Sequence, residues 1–193
     1  MPRAGLTPEV IAHEAARLVD EVGRDRLTLA ALAKRFNVAQ PSLYKHVDGA
    51  DGLDRLLAVR VLGEVGNTIR RAATGKAGAD AVRAVAAAYR RYAVDHPGRY
   101  PYVLQAPAAG DQAWEAAAKE ILSVFDDVLA GYGITGEDAV DATRFVRSVL
   151  HGFVSLELGG GFGMAQSVDD SFLRLVAATE HALHDWPGTA PLT

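Results

Sequence analysis

The sequence contains no cysteine among its 193 residues. Disulfide bonds, thiolate metal sites and a cysteine nucleophile are therefore excluded, and a chain of this length can form a core without such cross-links. No apolar run reaches the ~18 residues that a membrane span requires, and residues 1–8 lack the apolar core of a signal peptide. We therefore expect a soluble, cytoplasmic protein without a membrane partner.

Sequence motifs for catalysis and for cofactor binding are also missing. His13 and Glu14 lack the second histidine of a zinc protease motif. The glycines at 159–163 follow a predicted helix, whereas a dinucleotide-binding loop follows a strand. No trio of serine, histidine and acidic residue can be identified. The sequence therefore predicts no catalytic residue, no metal site and no cofactor, and we do not expect an enzyme.

Charge is distributed unevenly along the chain, although the net charge is only −4. Residues 1–47 hold seven Lys and Arg against five Asp and Glu, so this part carries +2 and the remainder −6. The acidic total argues against a protein that coats nucleic acid, whereas a mildly basic N-terminal part is compatible with local contact to DNA. Differences of this size also occur in ordinary soluble domains, so charge alone does not assign DNA binding.

Apolar residues recur at three- and four-residue spacing almost everywhere, which predicts an all-α fold. Thr7, Thr28 and Ser167 are the predicted N-caps, and Asn37 supplies a left-handed residue for a tight turn. Capping and helix-breaking residues predict eight helices, a flexible joint at 74–78 and a short apolar segment at 100–106. The predicted helices span residues 8–22, 29–36, 41–47, 53–71, 80–96, 111–130, 137–158 and 168–186.

Residues 28–47 have the spacing of a helix-turn-helix, with a short helix, a turn at 37–39 and a second helix of about two turns. In that geometry the first helix crosses the phosphate backbone, and the start of the second reaches base edges in the major groove. Gln40 can bond adenine, Ser42 any base, and Lys45 guanine or phosphate. A helical hairpin that only packs is the alternative, because the apolar residues of this segment suffice for a core.

The same segment resembles the TetR (tetracycline-repressor) family of transcriptional regulators. Members of that family read like LTMRALAERLGVSAPALYRHF here, and the pattern is met by Leu27, Thr28, Ala31, Leu32, Ala33, Val38, Leu43, Tyr44 and His46. The resemblance implies that Tyr44 and His46 contact phosphate, and Thr28 can offer its amide and hydroxyl to phosphate. The predicted DNA-binding residues are Thr28, Gln40, Pro41, Ser42, Tyr44, Lys45 and His46.

Two positions depart from the family pattern. Asn37 replaces the usual glycine, which its tolerance of the left-handed conformation allows. Ala50, Asp51 and Gly52 stand where the family commonly has Ser-Lys-Glu, so a phosphate-binding lysine is replaced by an acidic residue. Asp51 is expected to weaken DNA binding, and Arg3 is a candidate to supply the missing phosphate contact.

Two later segments, His-Pro-Gly-Arg-Tyr at 96–100 and the stretch 151–158, look like the C-terminal domain of one TetR branch. The resemblance implies a homodimer that pairs helices 137–158 and 168–186, and an effector pocket enclosed by the middle helices. Each candidate pocket residue also suits an ordinary core position. These candidates are Tyr89, Tyr92, Tyr100, Tyr102, Trp114, Phe125, Arg147 and His151.

The sequence thus predicts an all-α protein with an N-terminal three-helix DNA-binding domain at 1–48. A larger helical domain for ligand binding and dimerisation follows at 49–186, and a disordered tail at 187–193. The predicted function is a ligand-responsive transcriptional regulator, a repressor that a small hydrophobic effector releases from a pseudo-palindromic double-stranded DNA operator. The alternative is a helical small-molecule sensor or adaptor that does not bind DNA.

Overall fold

The computed structural model describes residues 5–186, which contain seven α-helices and no strand. The all-α prediction is confirmed for these residues, whereas Arg3 and the predicted tail at 187–193 lie outside them. The helices are α1 (Pro8–Val22), α2 (Leu29–Phe36), α3 (Gly49–Ala73), α4 (Gly78–Asp95), α5 (Gln112–Ala130), α6 (Glu137–Leu158) and α7 (Val168–His184). Three short 3-10 helices lie between them, at Arg24–Arg26, Gln40–Ser42 and Tyr100–Leu104.

The predicted helix caps are confirmed by their hydrogen bonds. The hydroxyl oxygens of Thr7, Thr28 and Ser167 each accept the backbone N–H three residues ahead, at 3.3, 3.1 and 3.1 Å. Asn37 ends α2 with φ 53° and ψ 46°, and it is the only non-glycine residue with positive φ in the described part of the chain. The left-handed turn that the sequence predicted at Asn37 is therefore present.

The prediction of an α-helix at 41–47 is wrong. Gln40–Ser42 form a 3-10 helix, and the following residues continue as turns. The N–H groups of Ser42, Leu43 and His46 bond carbonyls three residues back, at 2.9, 3.0 and 2.9 Å, and the first bond to a carbonyl four residues back comes at Val47. The segment between Asn37 and α3 is short, and a short segment favours the tighter helix because an α-helical nucleus is costly.

The helix that follows begins at Gly49, four residues before the predicted start at residue 53. Asp51 stands in its first turn, where a negative charge interacts favourably with the helix dipole. The acidic residue that replaces the family lysine therefore helps α3 to begin early.

The described residues form two compact units, and the first (unit one) comprises residues 5–64 and 96–118. Within it α1 packs against α2. Its core is apolar, and its fully buried side chains are Ile11, Ala15, Val19, Leu32, Leu43 and Leu57. This core fixes the segments around Thr28 and Gln40 that the sequence assigned to DNA.

The second unit (unit two) comprises residues 65–95 and 119–186, and in it α4, α6 and α7 pack against one another. Arg90 of α4 pairs with Glu157 at 2.5 Å and with Asp169 at 2.7 Å, and its guanidinium lies 4.8 Å from the ring centre of Phe172. Glu157 stands near the end of α6 and Asp169 near the start of α7. Arg90 therefore attaches both ends of the α6–α7 connection to α4.

These units are defined by packing, so the boundary after residue 48 between a DNA-binding and a ligand-binding domain stays a prediction. None of the helices in the described residues is long and apolar enough to cross a bilayer.

Candidate nucleic-acid interface

The candidate interface begins at α2, whose first turn Thr28 caps. The Thr28 side chain is exposed at the end of this helix, and its hydroxyl accepts the N–H of Ala31. Helix α2 is held against α1 by Arg35, which donates to Glu14 at 2.6 Å and to both oxygens of Glu21 at 2.6 and 2.8 Å. Directional bonds of this kind fix the orientation of α2 more tightly than apolar contacts alone.

Residues 40–46 form the second part of the interface and are anchored from below. Leu43 is fully buried and Val47 is 4% exposed, so the apolar side of this segment is part of the core of unit one. Pro41, Tyr44 and Lys45 are exposed, whereas Gln40, Ser42 and His46 are half-buried. The seven predicted DNA-binding residues therefore all keep solvent-accessible surface.

Gln40 and Tyr44 lie on the same side of this segment. The Gln40 amide donates to the Tyr44 hydroxyl at 3.2 Å, and 54% of the Tyr44 side chain is exposed. One group with base-reading capacity and one with phosphate-binding capacity thus stand together on the surface.

Not every basic residue near the interface is available for phosphate. Arg24 pairs with Asp54 at 2.7 Å, and Arg35 with two glutamates, so both charges are neutralised within the chain. Arg26, Lys34 and Lys45 are exposed and form no ion pair with any described residue. Lys34 and Arg26 are candidates for phosphate contact that the sequence reasoning missed, because a count of charges does not show which of them are already paired.

The candidate effector residues are divided between the two units. Tyr100, Tyr102 and Trp114 belong to unit one. Tyr102 is fully buried and donates its hydroxyl to Asp54 at 2.8 Å. Burial, and after it the bond to Asp54, raise the pKa of Tyr102, so the hydroxyl keeps the proton that it donates. The indole N–H of Trp114 is buried without a hydrogen-bond partner among the described residues.

The other five candidates, Tyr89, Tyr92, Phe125, Arg147 and His151, belong to unit two. Tyr89, Tyr92 and Phe125 are buried, Arg147 is exposed, and His151 is half-buried with its ring 3.1 Å from the Ser155 hydroxyl. Burial, followed by the nearby charge of Arg147, lowers the pKa of His151 below its ordinary value. These residues therefore include both core positions and surface positions of α4, α5 and α6.

Two of the spaces in unit two differ greatly in size. A void of about 10 Å³ lies between α4, α5, α6 and α7, with Phe125, Leu150 and Leu183 among its lining residues. An open groove of about 600 Å³ lies along α4 and α7, where Phe172 and Val176 are buried and Val94 and Leu173 are exposed. Of the predicted effector residues, Phe125 lines the small void, and none lines the groove.

Sequence reasoning did not identify the polar residues that join residues 96–102 to α1 and α3. Arg99 contacts Asp20 at 2.7 Å and Glu64 at 2.9 Å, and the His96 ring lies 3.1 Å from Asp20. A signal is present in the sequence, because residues 96–100 read His-Pro-Gly-Arg-Tyr. Its acidic partners are scattered along two helices and have no motif of their own.

Comparisons with known proteins identify similar transcriptional regulators. A family model described as "Tetracyclin repressor-like, C-terminal domain" matches residues 82–179. An uncharacterized HTH-type transcriptional regulator of Mycobacterium tuberculosis is 38% identical over 184 residues, covering 92% of this chain and 83% of the relative. Another, from Bacillus subtilis, is 34% identical over 171 residues, covering 88% of each chain.

The fold is also similar to that of solved structures. A TetR variant from Acinetobacter baumannii AYE, in complex with minocycline, aligns with a TM-score of 0.71 over 95% of this chain and 99% of that chain. The two sequences are 21% identical, so this likeness concerns the fold.

Proposed function

Because this chain belongs to the TetR family of helix-turn-helix transcriptional regulators, we propose that it binds a double-stranded operator through residues 28–46. The observation that carries the proposal is the hydrogen-bonded pair of half-buried Gln40 and exposed Tyr44, held on a segment whose other side is buried by Leu43 and Val47. Thr28, Tyr44, Lys45 and His46 bind phosphate, whereas Gln40 and Ser42 read bases beside Pro41. A protein with this function acts in the cytoplasm, where the DNA is.

Operator selection on random duplexes, followed by titration of the selected site, tests this assignment. Gln40→Ala should relax the preference at one base position and cost about 1–3 kcal/mol at the best site. Tyr44→Phe should weaken all sequences alike, because phosphate contacts carry no sequence information. An unchanged preferred sequence in Gln40→Ala contradicts the assigned docking geometry, and a wild-type chain that selects no duplex favours a sensor or adaptor without DNA binding.

We further propose that the protein is a homodimer that pairs α6 and α7 with their symmetry mates and reads a pseudo-palindrome. Supporting this, Val149, Gly152 and Leu156 form one stripe of α6 that is half-buried or exposed, and 53% of Leu156 is exposed. Two-fold pairing of such a stripe brings each residue against its counterpart.

Light scattering at micromolar concentration tests the dimer. Leu156→Glu should shift the mass towards that of a monomer, because it places two like charges at the proposed interface. Leu122→Glu is the matched control, since Leu122 lies on α5 and is 39% exposed. A monomer mass for the wild-type chain contradicts the proposal.

The proposed effector is a small, largely apolar molecule that binds in unit two, between residues 74–78 and α6, and lowers operator affinity, as in a repressor. Supporting this, the interior that Phe125 and Leu150 share is apolar. An effector shifts the DNA-binding equilibrium only by its different affinity for the two states, typically ~1–3 kcal/mol. Operator DNA must then weaken effector binding by the same factor.

The apolar dye anilinonaphthalene sulfonate is a suitable first probe. Its titration with and without the selected operator should give two different dissociation constants. Quenching of the fluorescence of Trp186, which belongs to unit two, provides a second signal over the background of Trp114 in unit one. The proposed switch is contradicted if the dye and every compound of an apolar panel have the same dissociation constant with and without the operator. The protein would then bind DNA without responding to such an effector.

A further inference from the structure

Residues 96–102, which we name the clamp segment, are bonded to α1 through Arg99. The Arg99 side chain is 13% exposed, and its Nε lies 3.0 Å from the carbonyl of Ala16 and 2.7 Å from the Asp20 carboxylate. Its Nη1 lies 2.9 Å from Glu64 of α3. One guanidinium therefore joins the C-terminal half of α1 to α3.

Gly98 brings the backbone of the clamp segment directly against α1. A Cβ atom at this position would lie 2.1 Å from the Val19 carbonyl oxygen and 2.8 Å from the Asp20 Cα. Both neighbours are backbone atoms, which cannot turn aside as a side chain does. The contact therefore requires glycine, because any other residue would force the clamp segment away from α1.

Tyr102 provides a second attachment of the clamp segment within unit one. Its hydroxyl donates to Asp54 of α3 at 2.8 Å, and the other Asp54 oxygen accepts from Arg24 at 2.7 Å. The Arg24 guanidinium also lies 4.9 Å from the centre of the Tyr102 ring. Arg24 follows α1 directly, so this cluster ties the end of α1 to α3 a second time.

We infer that the clamp segment is a positioning element of the DNA-binding region, with Arg99 and Gly98 as its principal residues. The clamp segment fixes α1, and α1 holds α2 through the bonds of Glu14 and Glu21 to Arg35. The orientation of Thr28 and of the segment at 40–46 then depends on residues that lie far away in the sequence. This inference rests on the proposed DNA-binding function.

The chemistry of the cluster explains why loss of Arg99 should change the position of α1. Asp20 and Glu64 are 18% and 24% exposed, and Arg99 pairs with both. Removing the guanidinium leaves two partly buried carboxylates without this partner, which is costlier than losing an ordinary surface pair. Glu64 keeps its pair with Arg60 at 2.8 Å, whereas Asp20 is expected to move towards solvent and to take the C-terminal half of α1 with it.

The test uses Gly98→Ala and Arg99→Gln in the full chain, with operator affinity measured over a range of salt concentrations well below the unfolding temperature. Both variants should bind about tenfold more weakly and show a shallower salt dependence, because displaced phosphate-binding residues release fewer counterions. Arg99→Lys should recover part of the loss. A merely structural role lowers the unfolding temperature but leaves the salt dependence of the folded protein unchanged.

Two matched controls accompany these variants. Gly63→Ala places a methyl group on α3, where no atom lies within 4 Å of the added Cβ, and should leave binding unchanged. Arg83→Gln removes a surface arginine of unit two that pairs with Glu180, and should also leave DNA affinity unchanged. Wild-type affinity and salt dependence in both clamp variants would overturn the inference.

Hydrogen exchange separates failure of this inference from failure of the proposed function. Amides of α1 should exchange faster in Gly98→Ala and in Arg99→Gln than in the wild-type chain, whereas amides of α6 should not. If the wild-type chain binds no DNA, the proposed function fails and the positioning of α1 is judged by exchange alone. Unchanged exchange of α1 in both variants overturns the inference in either case.

Discussion

The two units of this protein are stabilised in different ways. In unit one the helices are joined by directional bonds, with Arg35 connecting α2 to α1 and Arg99 connecting α1 to α3. In unit two α4, α6 and α7 pack around an apolar interior, and most ion pairs, such as that of Arg83 with Glu180, lie at the surface. Arg90, which joins these three helices through Glu157 and Asp169, is the part-buried exception. A surface that reads DNA needs a fixed arrangement of groups, whereas an interior that admits an apolar ligand needs side chains that repack.

The space inside unit two supports this distinction. The void lined by Phe125 and Leu183 measures about 10 Å³, which is no more than a single water molecule occupies and far below the several hundred Å³ of a typical ligand site. An effector at this position must therefore push side chains apart. Apolar side chains can repack in this way without breaking hydrogen bonds. The arginine clusters of unit one could not move apart without losing theirs.

The largest expected effect tests whether packing stabilises unit two. Leu183 is 1% exposed and lines the small void, so Leu183→Ala should lower the free energy of unfolding by about 2–5 kcal/mol. Leu173→Ala is the control on the same helix, because Leu173 is 66% exposed and its truncation should change stability by less than about 0.5 kcal/mol. Urea unfolding followed by circular dichroism measures the free energy of unfolding of both variants. Equal losses in the two variants would contradict the conclusion that packing stabilises unit two.

Two helix caps compare the units directly. Thr28→Ala and Ser167→Ala each remove one hydroxyl that accepts a backbone N–H at 3.1 Å, and each should cost about 1 kcal/mol of stability. Only Thr28→Ala should also weaken operator binding, because α7 begins in unit two. Anisotropy titrations with a labelled operator show the difference, and a similar loss of affinity in Ser167→Ala would argue against a separate DNA-binding unit.

A pair of lysines sharpens the comparison for phosphate binding. Lys34→Ala should reduce the slope of log K against log salt concentration by about one, as expected for the loss of one phosphate contact. Lys76→Ala removes the same charge from unit two, where Nζ donates to the Ala72 carbonyl, and should leave the slope unchanged. Equal slopes for Lys34→Ala and the wild-type chain would exclude Lys34 from the interface.

The smallest effect concerns pH and unit two. Because burial lowers the pKa of His151, the folded chain favours the neutral ring, and the unfolded chain takes up the proton first as pH falls. Stability should therefore decrease as pH falls below about 6.5, the ordinary histidine value, until His151 is protonated in the folded state as well. In His151→Gln this decrease in stability should be absent. The prediction is contradicted if the free energy of unfolding, measured against pH, changes in parallel for the two proteins.

Local features were predictable from the sequence because their causes are local. The caps at Thr7, Thr28 and Ser167 and the left-handed Asn37 follow from side-chain chemistry within four residues, and α6 has the predicted bounds. The segment at 40–46 was assigned the wrong helix type, because its turns depend on the short distance between Asn37 and α3. The Arg99 cluster joins positions up to 83 residues apart, which no local pattern encodes.

The effector residues illustrate a different limit. Tyr102 was a candidate for the pocket because it is an aromatic residue on a segment that a ligand domain would use. In the structure its hydroxyl bonds Asp54, and its ring lies beneath Arg24 within unit one. An aromatic side chain has the same sequence signature in a core and in a pocket, so spacing alone cannot distinguish the two.

The attachment of Arg90 to Glu157 and Asp169 also bears on protein engineering. Because the ends of the glycine-rich connection at 159–167 are held independently of its length, an inserted peptide would not separate α6 from α7. Doubling the length of a flexible loop adds only about 0.6 kcal/mol to its closure entropy. The connection is therefore a natural point for an epitope tag or a fluorescent reporter, far along the chain from the residues proposed to read DNA.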